Sequence, residues 1–348
     1  MQRWNAARLT VRRTLGTKSE GTTEKLRQSQ QSPATFADQN DTWVDRHAPL
    51  VLQPYLKLAR VDRPIGTYLV LAPGLWGLAL AADTGHFPDA GLGAVFLAGA
   101  FLMRSAGCTI NDMWDRRFDG LVARTAQRPI ASGRLSLLNA WRFLGLQLTA
   151  GLALLLQLNM QTIALGVACV PIVAAYPALK RFTHLPQVVL GVAMNWGVLM
   201  GVSAVHGEAV QWSAALPLYV GAIGWTVIYD TIYAHQDKID DARLGLHSTA
   251  LLMANNTAPI LSAVALAVSA CWAAAGVTGG LAWPYFAAVA CACAHMLWQV
   301  RTADYGARAS LARRFVSNQW VGWIILVGIV GGKLFARGDA SVAEQSGG

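Results

Sequence analysis

Two short acid-rich segments stand out in a sequence that is otherwise poor in charge. Their acidic residues are, in chain order, Asp112, Asp115, Asp119, Asp230, Asp237, Asp240 and Asp241. Spacings of three, four and seven residues place side chains on one face of a helix, so each segment predicts a row of carboxylates. Like charges at such spacings repel one another unless a cation compensates for them.

Oxygen ligands of this kind suit Mg²⁺ better than they suit zinc. Mg²⁺ is typically held by one or two carboxylates together with substrate phosphates, so the two segments predict a magnesium site that handles a phosphorylated substrate. The basic residues that could hold the phosphates are Arg124, Arg128, Lys180 and Arg181. Each of these cations could instead mark only the membrane topology.

The composition indicates the environment in which these acids must work. Of the 348 residues, 54% are hydrophobic and 14% are charged, whereas soluble domains carry about 25% charged residues. Apolar segments long enough to span a bilayer lie near 65–82, 91–108, 138–158, 161–178, 187–206, 213–231, 257–277, 282–300 and 319–335. Most of them lack the polar face that a soluble helix needs. The sequence therefore predicts an all-α, polytopic membrane protein with about nine transmembrane helices.

The formal net charge of +9 is distributed unevenly along the chain. The connections near 83–90, 159–160, 207–212 and 278–281 carry no Lys or Arg, while those that alternate with them are rich in both. This split follows the positive-inside rule and supports the helix count. It also accounts for the basic charge without nucleic acid, since no surface of interleaved aromatic and basic residues is evident.

Both acid-rich segments lie at the ends of predicted spans, on the basic side. Of the eleven acidic residues between the first and the last span, seven belong to these two segments. A carboxylate near the membrane interior costs about 2.5–3.5 kcal/mol on insertion scales, so such a grouping requires a compensating ligand. The sequence therefore predicts an active-site cavity at one membrane face.

The two ends of the chain differ from its apolar part. The first nineteen residues contain five Lys or Arg residues and no acid, and the stretch that follows is rich in Ser, Thr and Gln. This composition predicts a mitochondrial transit peptide and disordered linker over residues 1–45; an ordinary disordered basic tail is the alternative. We expect the transmembrane domain over 46–336 and a disordered C-terminal tail over 337–348.

At the acid-rich segments the sequence resembles the UbiA-type intramembrane prenyltransferases. The first motif of that family, Asn-Asp-x-x-Asp-x-x-x-Asp, matches Asn111, Asp112, Asp115 and Asp119. It continues as an Arg-Thr-x-x-Arg-Pro-Ile-Ala-Ser-Gly run over 124–133. The second motif, Asp-x-x-Tyr-Ala-x-x-Asp-x-x-x-Asp, matches Asp230, Tyr233, Ala234, Asp237 and Asp241.

The two motifs alone would also fit heme and other quinone-precursor prenyltransferases, which stay as alternatives. Residues 60–67, 176–187 and 230–237 are similar to the branch of the family that acts on 4-hydroxybenzoate in ubiquinone synthesis. The resemblance extends over residues 60–335. One departure is His247, which stands before Ser248 where the family often has Lys.

The resemblance implies a UbiA-like helical bundle that transfers a polyprenyl group from a polyprenyl diphosphate to the ring carbon ortho to the hydroxyl of 4-hydroxybenzoate, with Mg²⁺ as cofactor. The implied catalytic residues are Asn111, Asp112, Asp115, Asp119, Asp230, Tyr233, Asp237 and Asp241, with the six aspartates as metal ligands. The implied substrate-binding residues are Arg63, Arg124, Arg128, Lys180, Arg181 and Tyr229. The expected location is the mitochondrial inner membrane, with the N-terminus and active site facing the matrix and other enzymes of ubiquinone synthesis as partners.

Several individual roles stay open within this scheme. Arg63 is the candidate for the acceptor carboxylate, because a guanidinium forms a bidentate pair with a carboxylate, but it could be another topology charge. The rings of Trp114, Tyr229 and Tyr233 could flank the allylic cation or act as packing and interfacial anchors. His235 could be a base, although a lone His beside an acidic cluster is more often a hydrogen-bonding bystander.

Two other classes of protein share this hydropathy. An ion-coupled transporter would place its acids near the bilayer midplane on broken helices, whereas these segments lie at span ends on one side. A non-catalytic protein that binds lipid or quinone would not require paired aspartate motifs with Arg and Lys around them.

Overall fold

The computed structural model describes residues 42–121, 125–179, 183, 185–210, 212–244 and 247–346. Its helices are α1 (Trp43–His47), α2 (Gln53–Leu58), α3 (Ile65–Ala81), α4 (Ala90–Trp114), α5 (Arg116–Asp119), α6 (Leu137–Leu155), α7 (Met160–Leu179), α8 (Pro186–Met194), α9 (Gly197–His206), α10 (Trp212–Ala234), α11 (Lys238–Leu244), α12 (Thr249–Met253), α13 (Thr257–Thr278), α14 (Trp283–Thr302) and α15 (Arg308–Ser346). No strand occurs among the described residues, which confirms the all-α prediction.

Each apolar segment predicted to span the membrane coincides with a helix or, near 187–206, with the pair α8 and α9. The helical segments long and apolar enough to cross a membrane are, within the described residues, Ala90–Trp114, Pro186–Ala209, Trp212–Ala234, Thr249–Thr278 and Arg308–Ala336. Shorter apolar helices cover Ile65–Ala81 and Met160–Ala175. The polytopic membrane protein is thus confirmed, and the number of nine crossings stays a prediction.

The chain divides into two compact units, Met1–Gln53 and Pro54–Gly348. In the first unit the description begins at Thr42, so most of the predicted transit peptide lies outside the described residues. The Thr42 backbone N–H and hydroxyl both donate to the Asp45 carboxylate at 2.9 Å. These bonds tie the residue before α1 to its first turn, as helix-capping side chains do.

Three tryptophans, which we call the tryptophan core, form a buried contact in the second unit. Trp76 of α3, Trp225 of α10 and Trp272 of α13 are fully buried. The ring of Trp76 lies 5.4 Å from that of Trp225 and 5.6 Å from that of Trp272. Each indole N–H donates to a protein oxygen, at 2.9 to 3.2 Å. These bonds avoid the cost of a buried unpaired donor, about 1–3 kcal/mol, so the large rings can fill the interior.

Glycines bring α3 and α9 into direct backbone contact. A β-carbon on Gly197 would lie 2.9 Å from the Gly74 nitrogen, and one on Gly201 would lie 2.9 Å from the Gly77 α-carbon. Small residues that allow helix backbones to approach closely are typical of membrane helix pairs. Because residue 197 meets residue 74 and residue 201 meets residue 77, α3 and α9 run in the same direction.

Both acid-rich segments lie at one end of the second unit, which we call the acid end. Helices α3 and α4 form a hairpin through residues 82–89, and an ion pair joins Asp112 of α4 to Arg60, just before α3. Helix α10 follows α9 after a short connection and returns antiparallel to α3, so Asp230 lies at the same end as Asp112. The prediction that both segments share one side of the membrane agrees with this topology.

Helix α15 runs in the same direction as α3. At the acid end its Arg308 Nε donates to the Gln236 carbonyl at 3.2 Å. At the opposite end, which we call the far end, the Gly85 N–H donates to the Lys333 carbonyl at 3.0 Å. The helix continues to Ser346, through most of the predicted tail over 337–348; the disorder of that tail and the domain limits at 45 and 336 stay predictions.

Candidate active site

The first acidic motif is divided between two helices. Helix α4 ends at Trp114, and Asp115 then takes φ −89° and ψ 5° before α5 begins at Arg116. The prediction of three carboxylates on one continuous helical face is therefore wrong, because Asp119 belongs to a separate short helix. The Asp115 carbonyl accepts bonds from the N–H groups of Phe118 and Asp119 at 2.9 and 2.8 Å, which form the first turn of α5.

Two arginines hold Asp112. Its carboxylate is 1% exposed, and Nη2 of Arg60 donates to both of its oxygens, at 2.8 and 2.9 Å. Nη1 of Arg128 donates to Asp112 Oδ1 at 3.0 Å and to Asp119 Oδ2 at 2.8 Å. The result is a network of two half-buried cations and two buried anions that joins the segment before α3 to both parts of the motif.

Burial and neighbouring charges shift the pKa values of this network in opposite directions. Burial disfavours the charged form of Arg60, but the adjacent Asp112 carboxylate raises the pKa of Arg60 overall, so this side chain stays a cation. Burial also raises the pKa of Asp119, and the ion pair with Arg128 opposes that rise. Arg128 was predicted to bind substrate; the structure places it against the aspartates of the first motif.

The second acidic motif is divided in the same way. Helix α10 ends at Ala234, and α11 begins at Lys238. Asp230 and Tyr233 therefore lie on α10, Asp237 lies in the turn, and Asp241 lies on α11; all four are half-buried. The prediction of one shared helical face is wrong here too, since three residues of turn separate the helices.

His235 occupies this turn as a structural residue. Its Nδ1 lies 2.9 Å from the Thr231 carbonyl, which can only accept, so Nδ1 carries a proton. Its Nε2 lies 3.2 Å from the Thr257 hydroxyl. Burial lowers the pKa of His235, which favours the neutral ring. With both nitrogens engaged, His235 ties the end of α10 to the start of α13 and is poorly placed to act as a base.

The predicted aromatic residues separate in the structure. Tyr229 is 1% exposed and packs edge-on against Trp225 and Phe315. Tyr233 is half-buried, with its ring 4.5 Å from that of Phe315. Trp114 is 47% exposed. Tyr229 is thus part of the packed interior, and Tyr233 is the ring more open to a substrate.

Arg63, the residue expected to bind the acceptor carboxylate, is exposed, whereas Arg104, within an apolar helix, has a buried Nε. Arg63 is 55% exposed, with Nε 3.7 Å from the Asp62 carboxylate. Arg104 lies inside α4, and its guanidinium packs against Gly66, where an added β-carbon would lie 2.7 Å from Nη2. Its Nε is buried and, among the described residues, no acceptor lies within hydrogen-bonding distance. A charged side chain within a membrane helix normally has a partner or marks a functional site.

Arg60 and Arg104 were not among the predicted site residues. The signal for Arg104 was present, since it is the single charged residue in the predicted span 91–108. The signal for Arg60 was weaker, because nothing in the sequence sets it apart from Arg63 three residues later.

Some predicted residues lie outside the described ones, namely Arg124, Lys180 and Arg181. Asn111 is half-buried and comes directly before Asp112 at the end of α4. Within the part of the chain that the structure describes, no group of three or more His, Cys, Asp or Glu side chains is arranged to hold a metal ion.

The model of the UbiA prenyltransferase family matches residues 70–327. The chain is 48% identical, over 297 residues, to the mitochondrial 4-hydroxybenzoate polyprenyltransferase of Aedes aegypti. This match covers 85% of this chain and 67% of that protein. It is also 48% identical, over 305 residues, to the protein of that name from Rattus norvegicus, and that match covers 86% of this chain and 81% of the rat protein.

Solved structures with this fold include the apo structure of a UbiA homolog from Aeropyrum pernix K1, with a TM-score of 0.66 and 26% identity over 76% of this chain and 96% of that one. A UbiA homolog from Archaeoglobus fulgidus bound to GPP and Mg²⁺ has a TM-score of 0.61 and 18% identity, over 80% of this chain and 98% of that one. The second similarity concerns the fold alone.

Proposed function

Because the chain belongs to the UbiA prenyltransferase family, we propose that it transfers a polyprenyl group from a polyprenyl diphosphate to 4-hydroxybenzoate, at the ring carbon ortho to the hydroxyl. The observation that carries this proposal is 48% identity to 4-hydroxybenzoate polyprenyltransferases over most of the chain. The acid end supports it independently, since it brings two aspartate motifs and several half-buried arginines to one end of an apolar helical fold.

The carboxylates of the two motifs fit Mg²⁺ by the chemistry of their donors. Mg²⁺ takes one or two carboxylates and completes its shell with water and substrate phosphates, so it does not require a preformed cluster of three side chains. The residues expected to hold it are the six aspartates of the two motifs, Asp112, Asp115, Asp119, Asp230, Asp237 and Asp241. The ion would neutralise the charge that develops on the diphosphate as it leaves.

The chain's own cations assist the same departure. As the C1–O bond of the donor breaks, its electron pair leaves with the diphosphate, and negative charge grows on the phosphate oxygens. The guanidinium of Arg128 is 21% exposed beside Asp119, where it can stabilise that charge in a site of low dielectric. Arg124, Lys180 and Arg181 remain proposed partners of the diphosphate.

The acceptor carboxylate is best matched by Arg104. Its guanidinium packs beside the start of α3 with Nε buried, and among the described residues that Nε lacks an acceptor. A bidentate carboxylate would supply that acceptor and fix the direction of the aromatic ring. Arg63, the residue expected from the sequence, is mostly exposed and lies against Asp62, so we assign it a smaller role.

An allylic cation is stabilised by the faces of aromatic rings. Tyr233, about one helical turn after Asp230, and Phe315, whose ring centroid lies 4.5 Å from that of Tyr233, are the rings that we assign to this role. The ring carbon of the acceptor then bonds to C1 of the prenyl group and loses its proton to the released diphosphate or to water, which restores aromaticity.

The curated relatives carry the word mitochondrial in their names, and the helices are those of a membrane protein. We propose that the chain resides in the mitochondrial inner membrane with its acid end towards the matrix. The excess of Lys and Arg at that end supports this orientation. The transit peptide proposed within residues 1–45, which also include a proposed disordered linker, would direct the chain there, and contacts with other enzymes of ubiquinone synthesis are part of the same proposal.

Competition between acceptors tests the proposed reaction. Purified protein in lipid is given a labelled prenyl diphosphate with 4-hydroxybenzoate, heme and homogentisate together, using donors of several chain lengths. We expect label only in the hydroxybenzoate product. Label in heme or homogentisate, with hydroxybenzoate unlabelled, would contradict the assignment.

A further inference from the structure

Arg60 has a backbone conformation that side chains other than glycine rarely adopt. Its φ of 58° places it in the left-handed region, where a non-glycine residue is uncommon and usually marks a turn or a functional constraint. The conformation directs Nη1 to the Lys57 carbonyl at 2.8 Å. It directs Nη2 to Asp112, which lies 52 positions further along the chain.

The result for Asp112 is a carboxylate almost fully occupied by arginine. An ionised carboxylate offers about four acceptor positions. Oδ1 accepts from both Arg60 and Arg128, and Oδ2 accepts from Arg60. With three of about four positions taken and 1% of the side chain exposed, Asp112 has little capacity left for another ligand.

We propose that Arg60 is a positioning residue that fixes Asp112 as the internal counter-ion of the first motif, so that metal binding falls to Asp115 and Asp119. This inference rests on the proposed function, because it assigns different tasks to the aspartates of one site. It differs from the expectation that all three aspartates of the first motif ligate Mg²⁺.

Electrostatics supports this division of tasks. Arg60 and Arg128 with Asp112 and Asp119 form a set whose formal charges cancel, which allows Asp112 to be buried near the membrane. A divalent ion bound directly to Asp112 would lie beside the Arg60 guanidinium and be repelled by it. Asp115 is half-buried in the turn between α4 and α5, where movement of Asp112 would displace it.

A double-mutant cycle tests the pairing. Arg60→Gln and Asp112→Asn, singly, should each lower the unfolding temperature of the purified full-length chain, because each leaves a charge of the network without one of its opposite charges. The double variant should recover much of the loss, since the two effects are coupled. Additive losses in the double variant would overturn the pairing, whatever the protein's reaction.

Metal affinity tests the division of tasks. Binding of Mn²⁺, as a spectroscopic substitute for Mg²⁺, is followed by electron paramagnetic resonance in the presence of inorganic pyrophosphate. Removing a ligand should weaken metal binding more than removing an outer partner does. Asp115→Asn should therefore weaken Mn²⁺ binding by more than about a hundredfold, and Arg60→Gln and Asp112→Asn by about 10- to 100-fold and by similar factors. A merely structural role for Arg60 would lower the amount of folded protein and leave the Mn²⁺ affinity unchanged.

Failure of the inference on Arg60 and failure of the proposed function would give different results. If Asp112→Asn weakened Mn²⁺ binding as much as Asp115→Asn did, while Arg60→Gln behaved as the unsubstituted chain, Asp112 would be a ligand and the inference would be wrong. If the unsubstituted chain bound no Mn²⁺ with pyrophosphate, the proposed function would be the part that fails, and the double-mutant cycle would still decide the role of Arg60.

Discussion

The tryptophan core and the acid end differ in whether their buried polar atoms have hydrogen-bond partners. In the core, every indole N–H has an oxygen partner at 2.9 to 3.2 Å. At the acid end, Asp62 Oδ1 and Arg104 Nε are buried, and the described residues provide neither with a hydrogen-bond partner. Proteins leave such groups unsatisfied mainly where a ligand or a mechanism uses them.

This contrast separates the part of the molecule that stabilises it from the part that does the chemistry. Satisfied bonds and close helix contacts belong to the core and to the α3–α9 pair. Unsatisfied charged groups and the two divided acidic motifs belong to the acid end. Substitutions in the first region should therefore change mainly folding, and substitutions in the second should change binding and turnover, with a change in stability where a buried charge or its partner is removed.

The largest effect is expected from the metal-facing carboxylates. Asp237→Asn or Asp115→Asn should reduce turnover by at least about a hundredfold, because a charge that stabilises the transition state is removed. Both side chains are half-buried, so the unfolding temperature should change little. The labelled-prenyl assay and thermal unfolding of the same preparations measure the two quantities. Glu208→Gln, exposed at the far end, is the matched control, and near-normal turnover of the Asp variants would contradict the contrast.

The next largest effect is expected at the proposed acceptor site, in the KM for 4-hydroxybenzoate. Arg104→Gln should raise the KM for 4-hydroxybenzoate by about 10- to 100-fold, which corresponds to the loss of one charged hydrogen-bond pair. The KM for the prenyl donor should stay nearly constant. Arg63→Gln is the control, since that side chain is 55% exposed. A larger increase for Arg63→Gln than for Arg104→Gln would return the role to Arg63.

A smaller effect, on the free energy of unfolding, is expected from substitution of a glycine at the α3–α9 contact. Gly201→Ala should destabilise the protein by about 1–3 kcal/mol, because the added carbon meets backbone atoms of α3 that cannot move aside. Gly99→Ala, where the same carbon meets nothing within 4 Å, should be neutral or stabilising by about 0.5–1 kcal/mol. Thermal unfolding compares the two variants, and equal behaviour would show that the α3–α9 contact is looser than described.

The smallest effect concerns Asp62 and depends on pH. Burial raises the pKa of Asp62, against the opposing charges of Arg63 and Arg60. A raised folded-state pKa means that the ionised form costs stability, and this cost appears as the pH rises through that pKa. Asp62→Asn should therefore unfold at a higher temperature than the unsubstituted chain at pH 7, with no difference at low pH. A difference that is constant with pH would exclude ionisation as its cause.

The sequence predicted the helices well because their lengths and apolar composition are local properties. It failed at the two motifs, where the helices end at Trp114 and Ala234 without a glycine or proline to mark the turn. The left-handed backbone of Arg60 has no local signal either, because its reason is a partner 52 positions away. The choice between Arg63 and Arg104 depended on burial, which only the packing of α3 against α4 determines.

Dependence of turnover on a divalent metal is the most direct test of the chemistry assigned to the acid end. Prenyl transfer to 4-hydroxybenzoate is measured with purified protein in lipid, first in excess EDTA and then after Mg²⁺ is added back. We predict that EDTA stops transfer and that Mg²⁺ restores it, while the chain stays folded throughout. Turnover that continues at its full rate in EDTA would contradict the account.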